Sequence, residues 1–219
     1  MAATSQANRF LGYPADARLL IINADDFGMC HAVNAAIIGA LTEGTVRSTS
    51  VMVPCPWYLH ASHFLAQHPE TPFAVHLTAI GDGATYRWGP LTATESVPSL
   101  VDAARYFYDF EHMAHFLAHV DLRELELEFR AQIETVLAAG LHPSHLDWHS
   151  LRIAGRPDIF NVMFKLAREY RLALRVAFQS WAEPLQQQEF PTADHDLLDS
   201  YGLDPARKGL GEACHGGAG

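Results

Sequence analysis

The segment Leu19-Leu20-Ile21-Ile22-Asn23-Ala24-Asp25-Asp26-Phe27-Gly28 constrains this chain more than any other. A short apolar run closed by a turn signal is the pattern of a strand buried on both faces, predicted here over Leu19–Ala24. Such strands belong to α/β sheets, which keep their chemistry at the C-terminal strand ends. Two adjacent carboxylates stand at that end. They repel each other, so folding gains nothing from the pair unless a cation lies beside them.

The alternation continues along the chain. Ala32, Val33, Ala36, Ile37 and Ala40 recur at helical spacing, and Gly44 reads as a stop. A strand is predicted over Ser48–Val53, a helix over Trp57–His68 and a strand over Phe73–Thr78. The clearest helix runs from Asp121 to Ala139: Asp121 caps it, Glu124 completes a capping-box-like pair, and Gly140 ends it. Its apolar face is Leu122, Leu125, Phe129, Ile133, Val136 and Leu137. A strand over Ser144–Trp148, a helix over Pro157–Tyr170 and a strand over Ala173–Phe178 follow. Strands alternating with helices of this length imply βαβ units and a mainly parallel sheet. The stretch Gly81–Phe116, rich in Gly, Pro, Thr and aromatics, reads as an insertion over the C-terminal face of that sheet. The expected organisation is a disordered segment 1–17, an α/β domain 18–180 carrying the insertion 81–116, and an irregular tail 181–219 with a glycine-rich end.

Composition excludes several functions. A net charge of -10 without a basic stripe argues against a nucleic-acid surface. Cys30, Cys55 and Cys214 are odd in number and lack a CxxC pair, which suits reduced thiols. No signal-peptide core precedes Arg18, and no apolar stretch approaches the length of a membrane span. The expectation is a cytoplasmic protein with no membrane partner; a homodimer is left open.

Three polar clusters fall at predicted strand ends: Asp25-Asp26, His76 in Val75-His76-Leu77-Thr78, and His145-Leu146-Asp147-Trp148-His149. Parallel strands bring those ends to one rim. A carboxylate and two imidazoles are a usual donor set for Zn²⁺ or a similar divalent ion with open positions for water. In the last cluster His145, Asp147 and His149 alternate and share one strand face, for which a solvated face is the alternative reading. His112, His115 and His119 recur at helical spacing and read as a solvated helix face; His31, at a helix start, reads as solvated rather than functional.

Asn23-Ala24-Asp25-Asp26-Phe27-Gly28, Val75-His76-Leu77-Thr78 and His145-Leu146-Asp147-Trp148-His149 resemble the three ordered motifs of the YdjC/ChbG carbohydrate deacetylases, over roughly residues 18–180. The resemblance implies a distorted (β/α) barrel and divalent-metal-dependent removal of acetyl groups from N-acetylated sugars, with Mg²⁺ or Zn²⁺ as the ion. It also implies Asp26, His76 and His149 as metal ligands and Asp25 as catalytic base. Asp147 or His145 would then orient a ligand imidazole. Tyr86 and Trp88, in the aromatic-rich insertion, are candidate platforms for a sugar ring, with Arg152 as a further substrate contact.

Two departures from the family pattern stand out. Leu151, followed by Arg152, occupies the place of another family histidine, and no late Val-His-Pro-Gly segment occurs; His215 lies in the glycine-rich end. The barrel is therefore expected to be incomplete at its C-terminus, marginally stable or self-associating, and weak in turnover. Two alternatives follow. One is a non-catalytic metal- or sugar-binding member. The other is a metal-dependent phosphoesterase, for which Arg47, Arg87 and Arg152 are the candidate phosphate contacts.

Overall fold

A computed structural model of the protein describes residues 8, 11–14, 16–151, 153, 155–177 and 179–193. Two compact units share the chain: Arg18–Arg175, and a second made of Met1–Ala17 with Val176–Gly219. Arg152, Cys214, His215 and the glycine-rich end lie outside the described residues.

In the first unit the elements run β1 (Asn23–Phe27), α1 (His31–Glu43), β2 (Ser48–Val51), α2 (Tyr58–Gln67), β3 (Phe73–Leu77), α3 (Met113–His119), α4 (Leu122–Ala138), β4 (His145–Trp148), α5 (Pro157–Tyr170) and β5 (Ala173–Leu174). The five strands form one sheet in the order β1-β2-β3-β4-β5, every pair parallel. This is the α/β class that the alternation implies, and strands in sequential order are how a (β/α) barrel progresses. All C-terminal strand ends therefore point to one rim. β2 and β3 are buried along their whole lengths, as interior strands covered on both faces must be.

The first strand departs from expectation. Pairing starts only at Asn23↔Ser48, so β1 begins where the apolar run ends. Leu19, Leu20, Ile21 and Ile22 are 46%, 70%, 77% and 41% exposed. β1 is an edge strand, and hydrophobicity alone does not supply it with a second neighbour. The last strand is also shorter than expected, ending at Leu174.

α4 fixes the sheet against the insertion. Asp121 caps it, accepting from Arg123 N–H at 2.8 Å, but Glu124 turns away and accepts from Ser99 N–H at 2.7 Å. Leu137 of the predicted apolar face is 40% exposed, whereas Glu128 and Gln132 are fully buried. Gln132 brackets the backbone of Thr78, accepting from its N–H at 2.9 Å and donating to its carbonyl at 2.7 Å. Glu128 accepts from the N–H groups of Leu91 and Thr92 at 3.1 and 3.0 Å. Buried polar groups must be paired, and here the pairing ties the end of β3 and the insertion to one helix.

The insertion packs an apolar interior of its own. Trp88, Val97, Leu100, Phe107 and Phe116 are all buried, and α3 begins within it. In the second unit, Gln179–Gln187 forms α6 where an irregular tail was expected from residue 181. Among the described residues, no helix is long and apolar enough to cross a membrane.

Candidate active site

The two aspartates owe their placement to a β-bulge. Ala24 pairs with Thr49 and Phe27 with Val51, so β1 carries one more residue than β2 between those pairs. Asp26 has φ +72, in the left-handed region, which costs a non-glycine residue about 1–2 kcal/mol. Adjacent side chains of a regular strand point to opposite faces. The bulge and the left-handed turn bring both carboxylates to the rim instead of leaving Asp26 in extended backbone. Gly28, at φ +103, completes the turn; a Cβ there would meet the Met52 carbonyl oxygen at 3.0 Å.

Asp26 meets the two predicted imidazoles. Its Oδ1 lies 3.0 Å from His149 Nδ1 and 3.4 Å from His76 Nε2. One donor atom from each of Asp26, His76 and His149 falls within 4.8 Å of the others, so the three can hold one metal ion. Both histidines are buried, and Asp26 is partly open. Burial opposes the charge of Asp26, yet hydrogen bonds from His149 and His76 hold its carboxyl well below the usual carboxylate range.

Register supplies the next shell of contacts. His76 of β3 sits directly opposite Asp147 of β4, and its Nδ1 is 2.7 Å from Asp147 Oδ1. That bond commits Nδ1 and leaves Nε2 aimed at Asp26, the arrangement that fixes tautomer and ring orientation in metal-binding histidines. Burial alone would lower the pKa of His76, but the Asp147 charge and hydrogen bond raise it to about 10. With Nδ1 committed to Asp147, His76 Nε2 joins His149 and the Asp26 carboxylate as nitrogen and oxygen donors that fit a divalent cation. His145 contacts neither ring: its Nδ1 is 2.9 Å from Ser144 Oγ.

Asp25 faces different partners. Arg175, just beyond β5, grips both its oxygens at 2.8 Å in a bidentate pair and reaches Asp147 Oδ2 at 3.0 Å. Asn23 Nδ2 donates to Asp25 Oδ1 at 2.6 Å. Ser50 Oγ donates to Asp147 Oδ2 at 2.5 Å. Asp82, between two glycines of the insertion, lies 2.8 Å from His149 Nε2 through its Oδ1.

Arg175, Ser50, Asn23 and Asp82 did not emerge from sequence reasoning. Signals for two of them exist: polar residues in the wholly buried strand Ser48-Thr49-Ser50, and a cation at the end of the last strand. Tyr86 is 39% exposed, as a ligand platform requires. Trp88 is only 4% exposed and packs 5.9 Å from the His149 ring, so it shapes the pocket wall and presents little ring to a ligand.

Comparisons with known proteins bear on the family. Residues 19–213 match the model of the family described as YdjC-like protein. A carbohydrate deacetylase of Enterococcus faecalis (strain V583) is 38% identical over 162 residues, covering 74% of this chain and 59% of the relative. A chitooligosaccharide deacetylase of Yersinia pestis (strain Pestoides F) is 34% identical over 160 residues, covering 73% and 59%. This chain thus spans about three fifths of the length of these curated relatives. A crystal structure from Enterococcus faecalis V583, of a protein assigned by name only to cellobiose-phosphate cleavage, matches with a TM-score of 0.70 and 35% identity, covering 80% of this chain and 66% of that one. The bulged Asp-Asp turn, the two imidazoles and the family match over most of the sequence lead to one conclusion: this chain belongs to the YdjC-like family.

Proposed function

We propose that this chain carries the catalytic rim of a divalent-metal-dependent N-deacetylase acting on N-acetylated sugars or their oligomers. The observation that carries the reading is the convergence of Asp26, His76 and His149, beside a separately held second carboxylate, Asp25. The names of the relatives supply the substrate class.

Asp26, His76 Nε2 and His149 would hold the ion. When bound, a divalent ion polarises an amide carbonyl and makes water more acidic. Asp147 keeps the His76 ring in place, and Asp82 does the same for His149 through the ring's other nitrogen. Asp25 is the proton carrier. Its Oδ1 is filled by Arg175 and Asn23, whereas Oδ2 accepts Arg175 alone among the described residues. An ionised carboxylate oxygen has two lone pairs, so Oδ2 retains one for a proton. It takes that proton from the attacking water and delivers it to the departing amine as the C–N bond breaks. Arg175 holds the carboxylate still while this happens.

A phosphoester substrate, suggested by the name of the solved neighbour, needs a free basic group. Arg47 donates to the Gly44 and Val46 carbonyls, Arg87 pairs with Asp102, and Arg175 pairs with Asp25 and Asp147. These three arginines are thus already engaged, which favours the amide, and Arg152 lies outside the described residues.

The test is acetate release from N-acetylated mono- and oligosaccharides after metal stripping and reloading with Zn²⁺, Mg²⁺ or Co²⁺. Metal-dependent release is expected. A protein that binds metal stoichiometrically yet releases no acetate from any substrate is a binding member of the family, and phosphate release from sugar phosphates would favour the phosphoesterase.

A further inference from the structure

Trp57 lies in the loop between β2 and α2, at the same rim as the carboxylates. Its backbone is tied down on both sides. The Trp57 N–H donates to the Gly28 carbonyl at 3.0 Å, and its carbonyl accepts from Asn34 Nδ2 at 3.1 Å. Asn34 is buried and also accepts from the Gly28 N–H at 2.7 Å, so one side chain clamps the β1–α1 and β2–α2 loops together. The indole is nonetheless 40% exposed.

One exposed apolar side chain needs no explanation. Here the ring has built surroundings. The His31 imidazole stands edge-on to it at 4.9 Å, and the His60 imidazole at 5.7 Å. Both imidazoles are exposed, and His60 is steadied by Asn34, whose Nδ2 is 3.1 Å from His60 Nδ1. Tyr86, also exposed, lies beside Cys30 and so borders the same Gly28–His31 segment. Gly28 is two residues from Asp26, a chain length of at most about 7 Å. An exposed indole with two exposed imidazoles beside it is therefore anchored, through its backbone, to the turn that carries Asp26.

A pyranose ring has the complementary surface: C–H groups on its face and hydroxyls around its edge. Stacking on an indole covers the first, and imidazole nitrogens can meet the second. We propose that Trp57, flanked by His31 and His60, is the stacking platform for the sugar ring next to the one being deacetylated. The site would then take an oligosaccharide in preference to a single N-acetylated sugar. This rests on the deacetylase reading, because it takes the reacting ring to lie at Asp26.

The experiment measures binding of N-acetylglucosamine and of its β-1,4-linked dimer by calorimetry, with Zn²⁺ present and in an Asp25→Asn background that suppresses turnover. Trp57→Ala is expected to weaken dimer binding roughly five- to tenfold and monomer binding less than about twofold. Trp57→Phe should recover most of the difference. Trp57→Leu, which keeps bulk without an aromatic face, should lose it, and covers the case in which the alanine variant folds poorly. Equal weakening of both sugars, or none for the dimer, overturns the platform and leaves the deacetylase reading standing. A background protein that binds neither sugar overturns both.

Discussion

Asp147→Asn probes the group on which the whole site leans. The Asp147 side chain is 2% exposed and receives three donors: His76 Nδ1 at 2.7 Å, Ser50 Oγ at 2.5 Å and Arg175 Nη2 at 3.0 Å. Burial opposes its charge, but the charges of His76 and Arg175 more than compensate, and the carboxyl stays ionised far below the usual range. Asparagine keeps the shape and one acceptor. It deletes the charge and turns the other end into a donor, which then faces the donors Ser50 and Arg175. Breaking a buried ionic network by neutralising one member costs ~3–5 kcal/mol. For a chain of this size each kcal/mol moves the melting midpoint by ~2–4 °C, so a fall of roughly 6–20 °C is expected. His76 also loses the carboxylate that orients it, which should weaken metal binding ~10–100-fold. The assays are thermal melting of metal-free protein and Zn²⁺ titration against a chromophoric chelator near neutral pH. A variant that melts like the wild type and binds Zn²⁺ within about threefold of it would refute both the energetic role of Asp147 and its role in placing His76.

Three other outcomes follow from the same geometry. Asp25→Asn should leave Zn²⁺ content intact, since Asp25 pairs with Arg175, and should lower acetate release ~10²–10⁴-fold; loss of the metal instead would exchange the roles of the two aspartates. Because Asp26 holds φ +72, Asp26→Gly should be more stable than Asp26→Ala by ~1–2 kcal/mol in urea melts of metal-free protein, and equal stabilities would mean that the turn relaxes. Burial lowers the pKa of His145, with the Arg175 charge adding to it and Asp147 opposing, so the folded protein binds this proton less well than the unfolded chain does. The stability it contributes is present above the unfolded value of about 6.5 and is lost as pH falls below it; His145→Gln should flatten the dependence of the melting temperature on pH in that range.

Local signals carried the element order and the rim. Periodicity, a Gly stop and an Asp cap are properties of a few neighbouring residues, and α4 and α5 lie within one residue of where those signals put them. Strand ends in a parallel sheet share one side, so the clusters Asp25-Asp26, His76 and His145 to His149 could be grouped before any contact was known, and the family resemblance singled out Asp26, His76 and His149 within them. Which side chains serve them was another matter. Arg175 is 150 residues from Asp25, Ser50 is 97 from Asp147, and Asp82 is 67 from His149, so each partner is chosen by strand register and loop path. The bulge in β1 was equally hidden, because one extra residue leaves the apolar pattern unchanged while reversing the face that each later side chain takes. The apolar run Leu19–Ile22 reads as a strand by composition, but a strand exists only where a neighbour offers backbone partners, and pairing with β2 begins at Asn23.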